Sequence, residues 1–262
     1  MAPPLWVLEG ESARTFLFGQ APWGVRESEP WLEGAQLDAF AGSRELWCEI
    51  PDDPRLADGD LIARFGLSST CLSADLDVPA LARVTAAADT VGVKLADLET
   101  CRPWLAAQIL DNVLRDGVDD VLVDAEGVLT ERARETGKRV AFEFADAEAV
   151  LTFFAGPAEV EYLCCTAERV ALGPADELAR LSRPWLDGDL GPFDDEVRSM
   201  QAWPQFFDRM LRARNHAWLP RFDAARTASA DTFFLMGMAH IVGDEGVIAL
   251  LRERGCTVER VQ

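Results

Sequence analysis

Two histidines, His216 and His240, are the only imidazoles in the 262-residue chain. Imidazole titrates near neutrality, which suits it to proton transfer and water activation. His240 stands three residues after Gly237, which closes the apolar run 232–236. That run predicts a strand, so His240 falls at a strand's carboxyl end, the edge where open α/β sheets bind ligands. Gly237 would let the backbone turn sharply beside such a ligand. Position alone supports a proton-transferring His240 and a histidine bonded to a loop carbonyl equally.

Carboxylates and one arginine complete the candidates. Glu49 ends the alternating segment 45–50 and shares a face with Trp47, and Glu143 is the one acid in the strand pattern 140–144. Taken singly, each reads as a surface acid. Residues 204–219 form an amphipathic helix pattern, with Phe207, Leu211 and Trp218 on one stripe. Arg214 falls on that stripe, and Asn215 stands four residues after Leu211. An arginine facing a core needs a carboxylate partner, and Glu49 and Glu143 are the named candidates. His216 lies about 200° round the helix from Arg214 and is expected to face water. That weakens any metal site built from both histidines.

The elements that position these residues follow from apolar pattern and punctuation. The run 15–18, ended by Gly19, predicts a buried strand. A helix over 30–41 with Gly42 as its cap and a strand over 45–50 follow. The C-terminus repeats the plan: strand 232–236, a helix from an Asp244 cap to Arg254 with Gly255 beyond it, and strand 257–261. A strand–helix–strand unit of this size favours a parallel pair. Both junctions read apolar strand, Gly-x-Ala, then a fourth residue, a pattern open to internal duplication. Helices are predicted over 78–91, 95–114 (interrupted at Pro103), 121–136 and 148–154, and the helix over 204–219 should stop at Pro220. The expectation is one α/β domain over 1–262. It has a mixed, largely parallel sheet, flanking helices and a mainly helical insertion at about 75–137.

Composition narrows the function. The net charge is −20, which repels phosphate backbones and anionic lipid and argues against nucleic-acid or membrane partners. Hydrophobic residues make up 49 %, enough for a sizeable core. The start of the chain lacks a basic leader, and no run approaches the roughly 18 apolar residues of a membrane span. The six cysteines form no C-x-x-C pair and read as reduced thiols in a cytoplasmic protein. No G-x-G-x-x-G, Walker A, H-E-x-x-H or G-x-S-x-G pattern is present, which demotes dinucleotide, P-loop, zincin and α/β-hydrolase chemistry.

The chain resembles the TraB/GumN family, related to the Tiki metalloproteases and more distantly to erythromycin esterases. The resemblance rests on several blocks in order. These are Leu5-Trp6-Val7-Leu8 with the strand ending at Gly19, Leu46-Trp47-Cys48-Glu49, Arg102-Pro103-Trp104, and Gly137-Lys138 with Glu143. Arg214-Asn215 follows, with Ala213 where the family has glutamate, and the closing block runs from Gly237-Met238-Ala239-His240 to Glu259. The resemblance implies a duplicated α/β fold with two Gly-x-x-His motifs and a glutamate. Gly237 and His240 match the second motif and Glu49 the glutamate. The first keeps Gly19 but has Pro22 in the histidine position. Proline neither ligates a metal nor shuttles a proton. Two readings follow. In one, the chain hydrolyses peptide or ester bonds, with His240 and Glu49 activating water and Arg214, Asn215 and Glu143 around them. In the other, it is a degenerate member that binds a small-molecule or peptide ligand without turnover. The cofactor stays open between a divalent metal on His240 and Glu49 and none, as does oligomerisation.

Overall fold

Uninterrupted apolar runs build the centre of this computed structural model, which describes residues 2–21, 24–118 and 122–261. Besides a short antiparallel pair, Val25–Arg26 with Leu122–Val123, the strands are β1 (Leu5–Glu9), β2 (Arg14–Gln20), β3 (Glu45–Cys48), β4 (Arg139–Phe142), β5 (Thr232–Gly237) and β6 (Val258–Arg260). These six form the main sheet, in the order β4-β3-β5-β2-β1-β6. The pairs β3–β4, β3–β5 and β2–β5 are parallel, while β1 runs antiparallel to β2 and β6. This is the mixed, largely parallel α/β class expected. Leu17, Phe18, Leu46, Trp47, Phe233 and Leu235 are fully buried, as strands covered on both faces require.

One expectation of pairing is corrected. Each strand–helix–strand unit was expected to close a parallel pair. Instead β5 inserts between β2 and β3, and both β2 and β1 separate β5 from β6. The two longest apolar strands, β2 and β5, thus pair with each other, and Gln20 stands opposite Gly237. The physical reason is burial. The continuous apolar strands take the middle of the sheet, and the shorter β4 and β6, with exposed Arg139, Glu259 and Arg260, take its edges.

The helices cover the sheet and form a second layer. Helix α1 (Gly34–Gly42) ends one residue later than expected. Ser43 rather than Gly42 caps it, donating its N–H and its hydroxyl to Ala39 O. Helices α2 (Val78–Thr90), α3 (Pro103–Asp116, with Pro103 in its first turn) and, later in the chain, Glu159–Val170 share a separate apolar cluster. Its fully buried Ala87, Ala106, Ala107 and Ala167 let the helices approach closely. Helix α4 (Ala125–Glu135) packs Leu129 and Ala133 with the sheet, and Val121, expected to start it, lies outside the described residues. Near the C-terminus, helix Val247–Glu253 starts from Gly246 rather than Asp244, and Gly255, at φ +80°, ends it in the left-handed region. No helix among the described residues is long and apolar enough to cross a membrane.

Residues 204–226 depart most from the sequence pattern. Pro204–Phe207 is α-helical, Asp208–Arg212 is a π-helical segment, and α-helix resumes as α5 (Ala213–Arg226). Pro220 lies inside α5 and does not stop it. Pro220 and His216 are both exposed, so the backbone carbonyl left without its N–H donor sits on the solvent side. Buried Phe222 and Ala225 beyond it keep the helix on the sheet.

Candidate functional site

Parallel strands bring their carboxyl ends to one edge, and the candidate residues gather there. Glu49 follows β3, Gly237 ends β5, and His240 lies in the short turn Met238–Ile241. Glu143 falls just past β4, where its N–H donates to Cys48 O at 3.0 Å and extends the ladder by one bond. Arg214 and Asn215 enter from the first turn of α5, directly after the π-helical segment. Such segments often mark functional positions because the extra residue re-aims the side chains that follow.

Arg214 is the hub. Its Nε donates to Glu143 Oε1 and Oε2 at 3.0 and 3.1 Å, and its Nη2 donates to both Glu143 Oε2 and Glu49 Oε2. Nη1 donates to Met210 O and lies 3.2 Å from His240 Nε2. Glu49 Oε1 accepts the Gly237 N–H at 2.6 Å, and Glu49 Oε2 lies 3.4 Å from His240 Nε2. The Trp218 ring packs 4.5 Å from the imidazole and also lies beneath the Arg214 guanidinium. Only 8 % of Arg214 and 4 % of His240 is exposed. The carboxylate partnership expected for Arg214 is therefore present with both acids.

Asn215 settles the imidazole tautomer. Its Nδ2 donates to Glu245 O at 2.7 Å, so its Oδ1 must be the atom 2.7 Å from His240 Nδ1. An amide oxygen only accepts, so His240 Nδ1 carries the proton and Nε2 holds the lone pair. That lone pair faces Arg214 Nη1 and the cleft.

The electrostatics keep the site charged but the imidazole neutral. Burial, reinforced by Arg214, holds His240 below the ordinary imidazole value against the pull of Glu49. Burial would raise the Glu49 carboxyl, but His240 when charged, Arg214 and the Gly237 N–H outweigh it and hold it well below the usual range. Burial would also lower Arg214, but Glu49 and Glu143 keep its guanidinium protonated.

The two motif glycines play different parts. A Cβ on Gly19 would collide with the Met238 sulfur and press on Ile241. Gly19 thus lets β2 lie against the turn that carries His240. Gly237 does not supply the sharp turn expected of it. Its φ is −58°, and a Cβ there would meet Glu49 and His240 at ordinary contact distances. Its contribution is the N–H given to Glu49. His216 stays outside the site, exposed and 3.5 Å from Glu245 Oε2. Pro22 lies outside the described residues.

The donor set does not fit a divalent ion. The lone pairs of His240 and Glu49 converge on the Arg214 guanidinium, so a metal between them would face a fixed cation. Among the described residues no group of three His, Cys, Asp or Glu side chains is placed to hold one, whereas hydrolytic zinc sites use three protein ligands.

Sequence reasoning missed Glu126. It sits in the first turn of α4, where its Oε1 accepts the Ile50 N–H at 3.0 Å and its Oε2 lies 3.4 Å from Gln20 Nε2. Burial first, then the nearby Glu49 charge, pushes its carboxyl up to about 8. The Asp124 cap marks the helix start, but nothing in the sequence signals that the acid two residues later turns inward. Glu49, Arg214, Gly237 and His240 line a cleft of about 560 Å³, walled by Tyr162, Phe206, Met210 and Leu211 and rimmed by Asp195 and Glu196. A larger cavity of about 870 Å³, beside Arg102 and Glu159, includes none of the candidate site residues.

Comparison with curated proteins and with solved structures gives no match. The sequence pattern of the TraB/PrgY/gumN family, however, matches residues 4–260, a span that includes every side chain of this cluster. The chain belongs to the TraB/PrgY/gumN family.

Proposed function

We propose that the protein hydrolyses ester or peptide bonds by metal-free water activation, with His240 as general base. The observation that carries this reading is the Asn215-fixed tautomer, which leaves the Nε2 lone pair beside a guanidinium at the lining of a cleft. A substrate carbonyl oxygen would take the Arg214 Nη1 hydrogen, polarising the carbonyl and freeing Nε2. Nε2 would then take a proton from water as the oxygen attacks the acyl carbon. The imidazolium so formed lies beside Glu49 Oε2 and is stabilised by it. It returns the proton to the leaving alkoxide or amine, giving acid plus alcohol or amine. General-base catalysis of this kind is worth roughly 10²–10⁴-fold.

One observation favours the second reading, a ligand-binding member without turnover: His240 Nε2 is already engaged by Arg214. The discriminating experiment offers wild type and His240→Gln a panel of p-nitrophenyl esters and an internally quenched peptide. Hydrolysis by wild type that is lost in the variant supports the general base. Equal rates in both reject it, and saturable binding without turnover selects the binder. A cytoplasmic setting accompanies either reading, supported by six free cysteines, of which Cys48, Cys101, Cys164 and Cys256 are buried.

A further inference from the structure

The ends of three strands surround the candidate base: Gln20 on β2, Gly237 on β5 and Glu49–Ile50 after β3. Glu49 hangs from β3 and accepts the N–H at the tip of β5. One further side chain, Glu126 from α4, spans the outer two strand ends. The hydrolytic scheme above does not use it.

We propose that Glu126 is a positioning residue for Glu49: its carboxyl ties the ends of β2 and β3 together and so fixes the carboxylate beside His240. The anchor is direct, because Oε1 accepts the N–H of Ile50, the residue immediately after Glu49. The other oxygen faces the Gln20 side chain, and Gln20 stands opposite Gly237 in the β2–β5 ladder. Fixing Ile50 and Gln20 therefore fixes both flanks of the Glu49–Gly237 hydrogen bond.

Burial and the neighbouring acids favour the uncharged form of Glu126. The titratable groups facing Glu126 are Glu49 from the end of β3, Asp124 at the start of its own helix, and the Cys48 thiol. Among the described residues its largest electrostatic influences are the acids Glu49 and Asp124, so an ionised Glu126 would repel the very carboxylate it positions. Gln20 supplies a complementary observation. Its Oε1 is buried and has no hydrogen-bond partner among the described residues. With the amide turned end for end, that oxygen would accept the O–H of a protonated Glu126. As pH rises, loss of the proton removes that donor and places a second negative charge near Glu49. The Ile50 N–H still donates to the ionised carboxylate, so what changes in mildly alkaline solution is the repulsion that Glu49 feels.

This inference rests on Glu49 belonging to the hydrolytic site, but its test does not depend on turnover. Carboxyl-carbon NMR of the full chain, with glutamates labelled, follows the Glu49 signal, assigned by its loss in Glu49→Gln, from pH 5 to 10. In wild type it should show an inflection near pH 8. Glu126→Gln keeps an uncharged amide that can still accept from Ile50, and should remove that inflection while leaving the neutral-pH position of the signal in place. Glu126→Ala should displace the signal at every pH. p-Nitrophenyl ester hydrolysis is measured alongside, and its alkaline limb should disappear in Glu126→Gln. A Glu49 signal that is flat through pH 8 and unmoved in Glu126→Ala overturns the positioning role, whatever the activity. The inflection without any ester hydrolysis upholds that role and overturns the hydrolase reading instead.

Discussion

Arg214→Met tests whether the site is held by charge or by packing. The substitution keeps an unbranched side chain of similar reach but removes the guanidinium that bonds Glu49, Glu143 and Met210 O. Two carboxylates with side-chain exposures of 11 % and 16 % then lose their cation. Breaking a buried ion pair from one side costs about 3–5 kcal/mol. Unfolding entropy of roughly 2.1 cal/mol/K per residue, taken over 262 residues, is about 0.55 kcal/mol/K. The expected loss in melting temperature at pH 7 is therefore about 5–9 °C. The pH dependence carries the sign. Wild-type Glu49 has its folded pKa depressed, so its stabilisation is present above the unfolded value and is lost as pH falls through the lower folded value. In Arg214→Met one of the two charges behind that depression, beside His240, is gone, and the carboxyl protonates more readily. The gap between the two proteins should therefore narrow between pH 7 and pH 4. Differential scanning calorimetry at both pH values measures it. A loss under 1 kcal/mol, or one equal at the two pH values, would refute the charge-based account and leave packing against Trp218 as the cause.

Two further outcomes follow from backbone geometry. Gly19→Ala puts a methyl group against the Met238 sulfur and Ile241; overpacking of this kind costs about 1–3 kcal/mol. It should lower the denaturant midpoint, and an unchanged midpoint would show that the Met238 turn gives way freely. Pro220→Ala restores an N–H inside an exposed stretch of α5. Proline in a helix interior costs about 3 kcal/mol, offset by up to 1 kcal/mol of unfolded-state entropy, so a gain of about 2 kcal/mol is expected. A destabilised variant would mean that the proline is needed for the local course of the helix.

The need of Arg214 for an acid partner was legible in the sequence, whereas the convergence of His240 on the same group was not. An arginine on an apolar helix stripe with Phe207, Leu211 and Trp218 has to find an acid, and few acids stood in strand patterns. Glu49 and Glu143 are those acids. The strand order was not legible, because pairing between β2 and β5 depends on contacts more than 200 residues apart along the chain. Pro220 misled because a helix breaker is judged locally, whereas Phe222 and Ala225 hold the helix to the sheet.

Read alone, the residues point to the α/β class, the carboxyl-edge location of His240 and a shortage of imidazole; that Pro22 takes a motif histidine's place is what the family resemblance implies. These depend on periodicity and residue type, which are properties of the chain. The folded molecule adds what depends on distance and burial. Asn215 and Glu245 set the imidazole tautomer, and Arg214 stands where a metal between His240 and Glu49 would have to lie. Glu126, which the sequence does not single out, becomes a buried carboxyl facing Glu49's charge. A carboxyl group's charge state is set by the solvent it loses and the neighbours it gains, and both exist only once strands and helices distant in sequence have packed together.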